Sequence, residues 1–135
     1  MKITEEIKEF FKSIPIMAFS TVNNEGIPNV VIIGSKKIVN DDTIWVIDTF
    51  FNKTKENILQ NNKVSIALWQ GLKGYQIKGS SIYHSNGKTF DDAKNWILQL
   101  KPQKIVKGVV EIKVSVIFSI TPSYEEAGKK VASNS

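Results

Sequence analysis

Six short runs of strand-forming residues constrain the fold of this chain more than any other feature. They cover residues 17–22, 28–39, 43–48, 63–69, 75–84 and 108–121. Runs rich in β-branched and aromatic residues between turn-forming residues predict strands, and short connections make neighbouring strands antiparallel. Two stretches, Val30–Ile33 and Val64–Leu68, are apolar at nearly every position. The sheet should therefore be covered on both faces, by closure into a barrel, by helices or by another subunit, and a small barrel with helices at its rim is the simplest solution.

Three segments have the apolar spacing of helices instead. A helix is predicted over residues 4–13 and is closed by Pro15, a short helix over 54–60, and a longer helix ends before Pro102. A chain of 135 residues is long enough for one core, so residues 1–135 are predicted to form a single domain. The tail from about residue 125 is predicted to be loosely ordered.

The composition excludes several classes of chemistry. The chain has no cysteine, which rules out disulfides, thiol redox chemistry and cysteine-bound zinc or iron–sulfur clusters. His84 is the only histidine, so an imidazole-rich metal site or a Ser-His-Asp triad is not expected, and no ligand set for a metal is predicted. We expect His84 to be exposed at a strand end with no partner. Redox chemistry would thus require an organic cofactor. With no apolar run of about 20 residues and no signal peptide, the chain is expected to be cytoplasmic.

The net charge of +5 favours anionic partners. All 18 basic residues are lysines, and they are spread along the chain rather than gathered in a stripe with aromatic residues. A solvated lysine-rich surface is the commoner explanation of such a distribution. A basic barrel that binds single-stranded nucleic acid remains the alternative.

The segment TFFNKTKENI places two cations where a helix begins. Lys53 and Lys55 lie at the positive end of the helix dipole, a mismatch that costs roughly 0.3–1 kcal/mol per residue. The free N–H groups of a helix N-terminus form an anion site, and a phosphate there would reverse the cost. The alternative is that Asn52 or Thr54 simply caps the helix while the lysines lie in solvent.

Three motifs in this order resemble the FMN-binding split-barrel proteins related to pyridoxamine 5'-phosphate oxidase. The first is STVNNEGIPNV, from Ser20 to Val30. The second comprises Lys53, Thr54, Asn57, Ile58, Asn62, Lys63, Val64 and Ser65. The third has Gly74, Gly79 and Ser80, with Ser81 in place of the usual alanine. The resemblance is greatest to the small bacterial and archaeal FMN-binding proteins.

The resemblance implies a six-stranded antiparallel split β-barrel with short flanking helices, and a homodimer with two FMN sites at the subunit interface. Lys53 and Thr54 would hold the FMN phosphate, assisted by Asn52 and Asn57. Asp48 and Thr49 would line the ribityl chain or the ring edge. The isoalloxazine would lie alongside Ile32, Ile33, Gly34 and Ser35. Relatives carry polar and aromatic residues at positions 32–34, so here backbone N–H groups near Gly34 would address the ring.

The implied function is electron transfer, or a small flavin-dependent oxidoreductase activity, and no catalytic residue is identified. Pyridoxamine 5'-phosphate oxidase activity itself is not expected, because the chain is short and lacks the arginine-rich substrate site and the C-terminal extension of those enzymes. Relatives of the barrel that bind F420 or heme keep those ligands open as alternatives to FMN.

Overall fold

The computed structural model describes residues 1–134, which form three helices and eight strands. The helices are α1 (Glu5–Ser13), α2 (Lys53–Gln60) and α3 (Lys88–Leu100). The strands are β1 (Met17–Val22), β2 (Pro28–Ile33), β3 (Lys36–Ile38), β4 (Thr43–Asp48), β5 (Lys63–Gln70), β6 (Lys73–His84), β7 (Gly108–Ser119) and β8 (Lys130–Ser133). In the described part of the chain no helix is long and apolar enough to cross a membrane.

All strand pairs are antiparallel, and the sheet curls into a split barrel. The strand order is β2-β1-β5-β6-β7-β4-β3, and β8 pairs with β7 outside that path. The strands at the two ends of this order, β2 and β3, are consecutive in the chain and only Gly34 and Ser35 separate them. The sheet must therefore curl until its ends meet. A two-residue link, which we call the seam, joins those ends without a ladder of hydrogen bonds between them.

The prediction of six strands was wrong, and the structure has eight. The run from Pro28 to Val39, predicted as one strand, is divided at the seam because its first half pairs with β1 and its second half with β4. The eighth strand lies in the tail that was predicted to be loosely ordered. β8 pairs with β7 over Val116–Phe118, beyond the stretch that β4 covers, so it continues the sheet where β7 would otherwise be an edge.

The core lies inside the curled sheet, and α1 closes one side of it. Thr4 caps α1 by accepting a hydrogen bond from the Ile7 N–H (3.3 Å), and acidic residues occupy the first turn, where the helix dipole favours them. Ile7 and Phe11 of α1 join the main core. A second, smaller cluster lies where α3 packs on the outer face of β4 and β7, around Ile47 and Ile97. The mainly β fold with flanking helices is thus confirmed.

Candidate functional site

A cleft of about 360 Å³ opens where β2 reaches the seam. Residues of three segments line it: the end of β2 with the seam, the end of β4 with its connection to α2, and the loop between α3 and β7. They are Val31, Ile32, Ile33, Gly34, Ser35, Ile47, Thr49, Phe50, Phe51, Lys101 and Lys104. Five residues predicted to line the ligand, residues 32–35 alongside the ring and Thr49 at the ribityl chain or ring edge, are therefore brought to one place.

The cleft has apolar walls and an open floor at Gly34. Ile32 is 75% exposed and Phe50 is 88% exposed, which is unusual for large apolar side chains. The nearest atom to a Cβ built on Gly34 would be the Pro15 carbonyl oxygen at 3.8 Å, and φ of Gly34 is not in the left-handed region. The described residues therefore do not explain why position 34 is glycine. A flat group entering the cleft would explain it, because glycine permits close approach to the backbone.

Lysines from the α3–β7 loop supply the charge of the cleft. The Lys101 ammonium donates to the Ser35 hydroxyl (3.2 Å), and Ser35 is buried. Burial, and secondarily the charge of Lys101, lower the pKa of Lys104. Neither lysine was predicted as a site residue, since the loop carries no motif and follows the predicted site by about 50 residues.

A second groove is larger but chemically less distinctive. It has a volume of about 470 Å³ and lies between α1, β3 and α3. Glu5 and Glu9 line it together with lysines, and Lys8 forms ion pairs with Glu5 and Asp41. The groove thus carries both signs of charge, whereas the lining of the cleft contains cations without a carboxylate. We therefore regard the cleft as the better candidate.

The start of α2 is exposed, as an anion site requires. Asn52 occupies the N-cap position but makes no side-chain capping bond within residues 1–134, and Asn52, Lys53 and Lys55 are exposed. The backbone bond from Glu56 N–H to Asn52 C=O (3.2 Å) begins the helical ladder. The N–H groups of residues 53–55 therefore precede it, as in any helix start. Lys55 lies over the Tyr83 ring, with its ammonium 4.9 Å from the ring centre.

Two predicted phosphate contacts, Thr54 and Asn57, point into the protein instead. Thr54 is 1% exposed, and its hydroxyl accepts a hydrogen bond from the Asn29 amide (3.1 Å). The Asn57 amide donates to the Thr21 hydroxyl (3.1 Å), which also accepts from Asn29 (3.3 Å). These four side chains form a brace that fixes α2 against β1 and β2. The side chains of Thr54 and Asn57 thus position the start of α2. The backbone N–H of Thr54 still lies at that helix start.

Asp48, predicted to line the ligand, is fully buried beneath the site. One carboxylate oxygen accepts from the Phe51 N–H (2.9 Å) and the other from the Tyr83 hydroxyl (2.5 Å). Burial, and then the bond to Asp48, raise the pKa of Tyr83. A Cβ at Gly108 would collide with the Tyr83 ring, so glycine there makes room for this pair. Asp48 therefore shapes the β4–α2 connection from inside, and its carboxylate does not line the cleft.

The distance between cleft and helix start follows from β2. Asn29 touches Thr54 at the start of α2, whereas the cleft begins two to three residues further along the same strand. At roughly 3.3 Å per residue, Asn29 and Ile32 are about 10 Å apart. The region thus offers an exposed helix start and an apolar cleft that are both reached from β2.

His84 has a partner, contrary to the expectation from the sequence. Its Nε2 lies 3.1 Å from a Glu111 carboxylate oxygen, and both side chains are only partly exposed. The partner comes from β7, which pairs with β6, and such a cross-strand contact is visible only once the register is known. His84 does not line the cleft.

Comparison with known proteins agrees with the geometry. Residues 3–121 match the family model described as pyridoxamine 5'-phosphate oxidase. The uncharacterized protein MJ0282 of Methanocaldococcus jannaschii is 32% identical over 136 residues, which cover 98% of this chain and 89% of that protein. The crystal structure of HupZ from Group A Streptococcus is 26% identical and superimposes with a TM-score of 0.82 over 96% of this chain and 99% of that one.

Structures of lower identity share the fold and differ in their ligands. An FMN-binding protein from Syntrophomonas wolfei has 18% identity and a TM-score of 0.76, covering 88% of this chain and 86% of its own. HutZ, the heme storage protein from Vibrio cholerae, has 15% identity and a TM-score of 0.68, covering 87% of this chain and 94% of its own. An F420 reductase has 12% identity and a TM-score of 0.65, covering 85% of this chain and 98% of its own. The fold therefore does not identify the ligand by itself.

Proposed function

The chain belongs to the pyridoxamine 5'-phosphate oxidase family, and from that premise we propose that it is a cytoplasmic, homodimeric flavoprotein that binds FMN. It serves as an electron carrier or as a small flavin-dependent oxidoreductase. The observation that carries the proposal is the pairing of an exposed helix start with an apolar cleft about 10 Å away along β2. FMN has a phosphate and a flat ring at the two ends of a five-carbon chain, which matches that layout.

The residues present fit each part of FMN. Lys53 and the first N–H groups of α2 would bind the phosphate, because a dianion is favoured both by ammonium groups and by the helix dipole. Thr49 lines the cleft on the connection that leads from β4 to the helix start, and its hydroxyl donates to the Ile105 carbonyl (2.8 Å). The ring would lie over Gly34 between Ile32 and Phe50, since ligand pockets are mostly apolar with few fixed polar groups. When bound, FMN supplies the redox chemistry, and the chain supplies position and charge.

The outer face of β2 supports the proposed dimer. On that face, Val30 is 61% exposed and Ile32 is 75% exposed. The residues beside them on β1 and β5 are small: Ala18, Ala67, Ser20 and Ser65. Neighbouring exposed apolar side chains are a feature of interaction sites, and this face continues from the rim of the cleft. A second copy covering it would complete the ring site at the same time.

The first experiment is the visible spectrum of the purified protein. A yellow preparation whose released chromophore is FMN supports the proposal. Heme or F420 in its place would retain the fold and reject FMN. A colourless preparation that binds oligonucleotides in a salt-sensitive manner would support the nucleic-acid alternative.

The second experiment tests the phosphate position. Lys53→Ala should weaken FMN binding about 10- to 100-fold, because a hydrogen bond to a charged group contributes roughly 1.5–3 kcal/mol. The fold should survive, since Lys53 is exposed. Lys63→Ala, which removes another exposed lysine at the start of β5, is the matched control. Equal affinities of the two variants, measured by flavin fluorescence quenching, would remove Lys53 from the site.

A further inference from the structure

Two lysines lie in the cleft and a third lies beside it, without an acidic partner. Lys101 bonds to Ser35, Lys104 lines the cleft, and Lys36 follows Ser35 directly in the chain. Lys36 donates to the carbonyls of Ile14 (2.7 Å) and Pro15 (3.2 Å). Among residues 1–134, none of the ion pairs involves any of these three lysines.

Within residues 1–134, no ion pair compensates the mutual repulsion of these lysines. Burial, and then the charge of Lys101, lower the pKa of both Lys36 and Lys104. Like charges gathered in a partly desolvated position destabilise the empty protein. The same arrangement becomes favourable when negative charge enters the cleft.

We propose that Lys101 and Lys104 make the bound flavin easier to reduce, by stabilising the negative charge that the ring acquires on reduction. This inference rests on the proposed function. A hydride carries two electrons and one proton, so its transfer from a hydride donor oxidises the donor and leaves a neutral flavin ring as an anion. The oxidised ring carries no net charge for the lysines to bind.

The position of the phosphate separates this role from simple anchoring. The start of α2, where the phosphate is assigned, contacts β2 at Asn29, about 10 Å along that strand from Ile32 in the cleft. Lys101 and Lys104 therefore face the ring rather than the phosphate. Their charges should mainly raise the affinity for reduced FMN relative to oxidised FMN. They should have only a weak effect on the affinity for oxidised FMN itself.

The test compares the midpoint potential of FMN in the holoprotein with that in the double variant Lys101→Gln/Lys104→Gln. Equilibrium reduction by dithionite with a reference dye gives the potential. We expect the affinity for reduced over oxidised FMN to fall about tenfold, allowing for solvent screening. For a two-electron couple, that lowers the potential by about 30 mV. The affinity for oxidised FMN should change less than about threefold.

Two controls isolate the charge in the cleft. Lys107→Gln removes a lysine of the same loop that does not line the cleft, and should leave the potential unchanged. Lys101→Arg/Lys104→Arg keeps the charges and should keep the potential. If the double glutamine variant fails to fold, the two single variants carry the test with smaller shifts in the same direction.

Two results would contradict the inference, and the measurements distinguish them. An unchanged potential with weaker binding of both redox states would show that the lysines only anchor the ligand, and would overturn the inference. A wild-type protein that binds no FMN would refute the proposed function and this inference together. That failure is seen in the absorbance titration before any potential is measured.

Discussion

The carboxylate of Asp48 is the residue on which the geometry of the candidate site most depends. It is 0% exposed, and its two oxygens hold the Phe51 N–H and the Tyr83 hydroxyl. Its backbone carbonyl also accepts from Lys107 N–H (2.9 Å). One residue thus ties the β4–α2 connection to β6 and to the loop that carries Lys101 and Lys104.

Tyr83→Phe should destabilise the protein by about 1–3 kcal/mol, because it leaves a buried carboxylate oxygen without its donor. The measurement is the free energy of unfolding in urea. Tyr124→Phe, which removes the hydroxyl of a fully exposed tyrosine, should change it little. Equal stability of the two variants would show that the bond between Tyr83 and Asp48 contributes nothing.

The hydrogen bond between Tyr83 and Asp48 predicts a loss of stability at alkaline pH. The pKa of Tyr83 is raised above the ordinary tyrosine value of about 10. A raised folded pKa means that the contribution to stability is complete below pH 10 and is lost as the pH rises through the folded value. The free energy of unfolding should therefore fall above pH 10 in the wild type, and Tyr83→Phe should lack that part of the fall. Parallel pH profiles would contradict the assignment.

At the scale of elements, the brace between α2 and the sheet positions the helix start. Asn29, Thr54, Asn57 and Thr21 form a continuous set of side-chain hydrogen bonds across β2, α2 and β1. Because three of these residues are amide or hydroxyl side chains largely excluded from solvent, each lost partner leaves a polar group unsatisfied.

Thr54→Val keeps the side-chain shape and removes the acceptor for Asn29. We expect it to lower the free energy of unfolding by about 1–2 kcal/mol and also to weaken FMN binding, since the helix start would shift. Lys53→Ala, by contrast, should weaken binding without loss of stability. Thermal unfolding of the two apoproteins distinguishes them, and an unchanged melting temperature of Thr54→Val would argue against the brace.

The elements also show what the sequence could and could not predict. β1 and β4 were predicted to the residue, because turn-forming residues bound both runs. The division of residues 28–39 was not predictable from local pattern, since the run is rich in β-branched residues and the break is imposed by barrel closure. β8 is short and polar, and it exists as a strand because β7 extends past β4. Lys101 and Lys104 were missed for the same reason, since only the tertiary fold brings them to β2.

At the scale of the whole molecule, the exposed face of β2 predicts the assembly state. Val30 lies on the same face of β2 as Ile32 but does not line the cleft. Val30→Asp should leave the fold intact, because the side chain is exposed in the single chain, and should convert the proposed dimer to a monomer. Sedimentation velocity measures the change.

Tyr124→Asp is the control for that experiment, since it adds the same charge at an exposed aromatic residue in the connection between β7 and β8. It should remain dimeric. A wild-type protein that sediments as a monomer at micromolar concentration, or a Val30→Asp variant that stays dimeric, would reject this face as the interface.

The seam has one more consequence, for how such a protein changes over evolutionary time. The registers of the β1–β2 and β3–β4 pairs end at Ile33 and Lys36, and the Ile47 N–H ties the seam to β4 by donating to the Ser35 carbonyl (2.9 Å). Strand pairing therefore places little constraint on the shape that fills the space beside Gly34. Point substitutions around that gap can alter which flat molecule is carried while leaving the architecture untouched. Ligand specificity in such a lineage can therefore change at the residues around the gap without a change of fold.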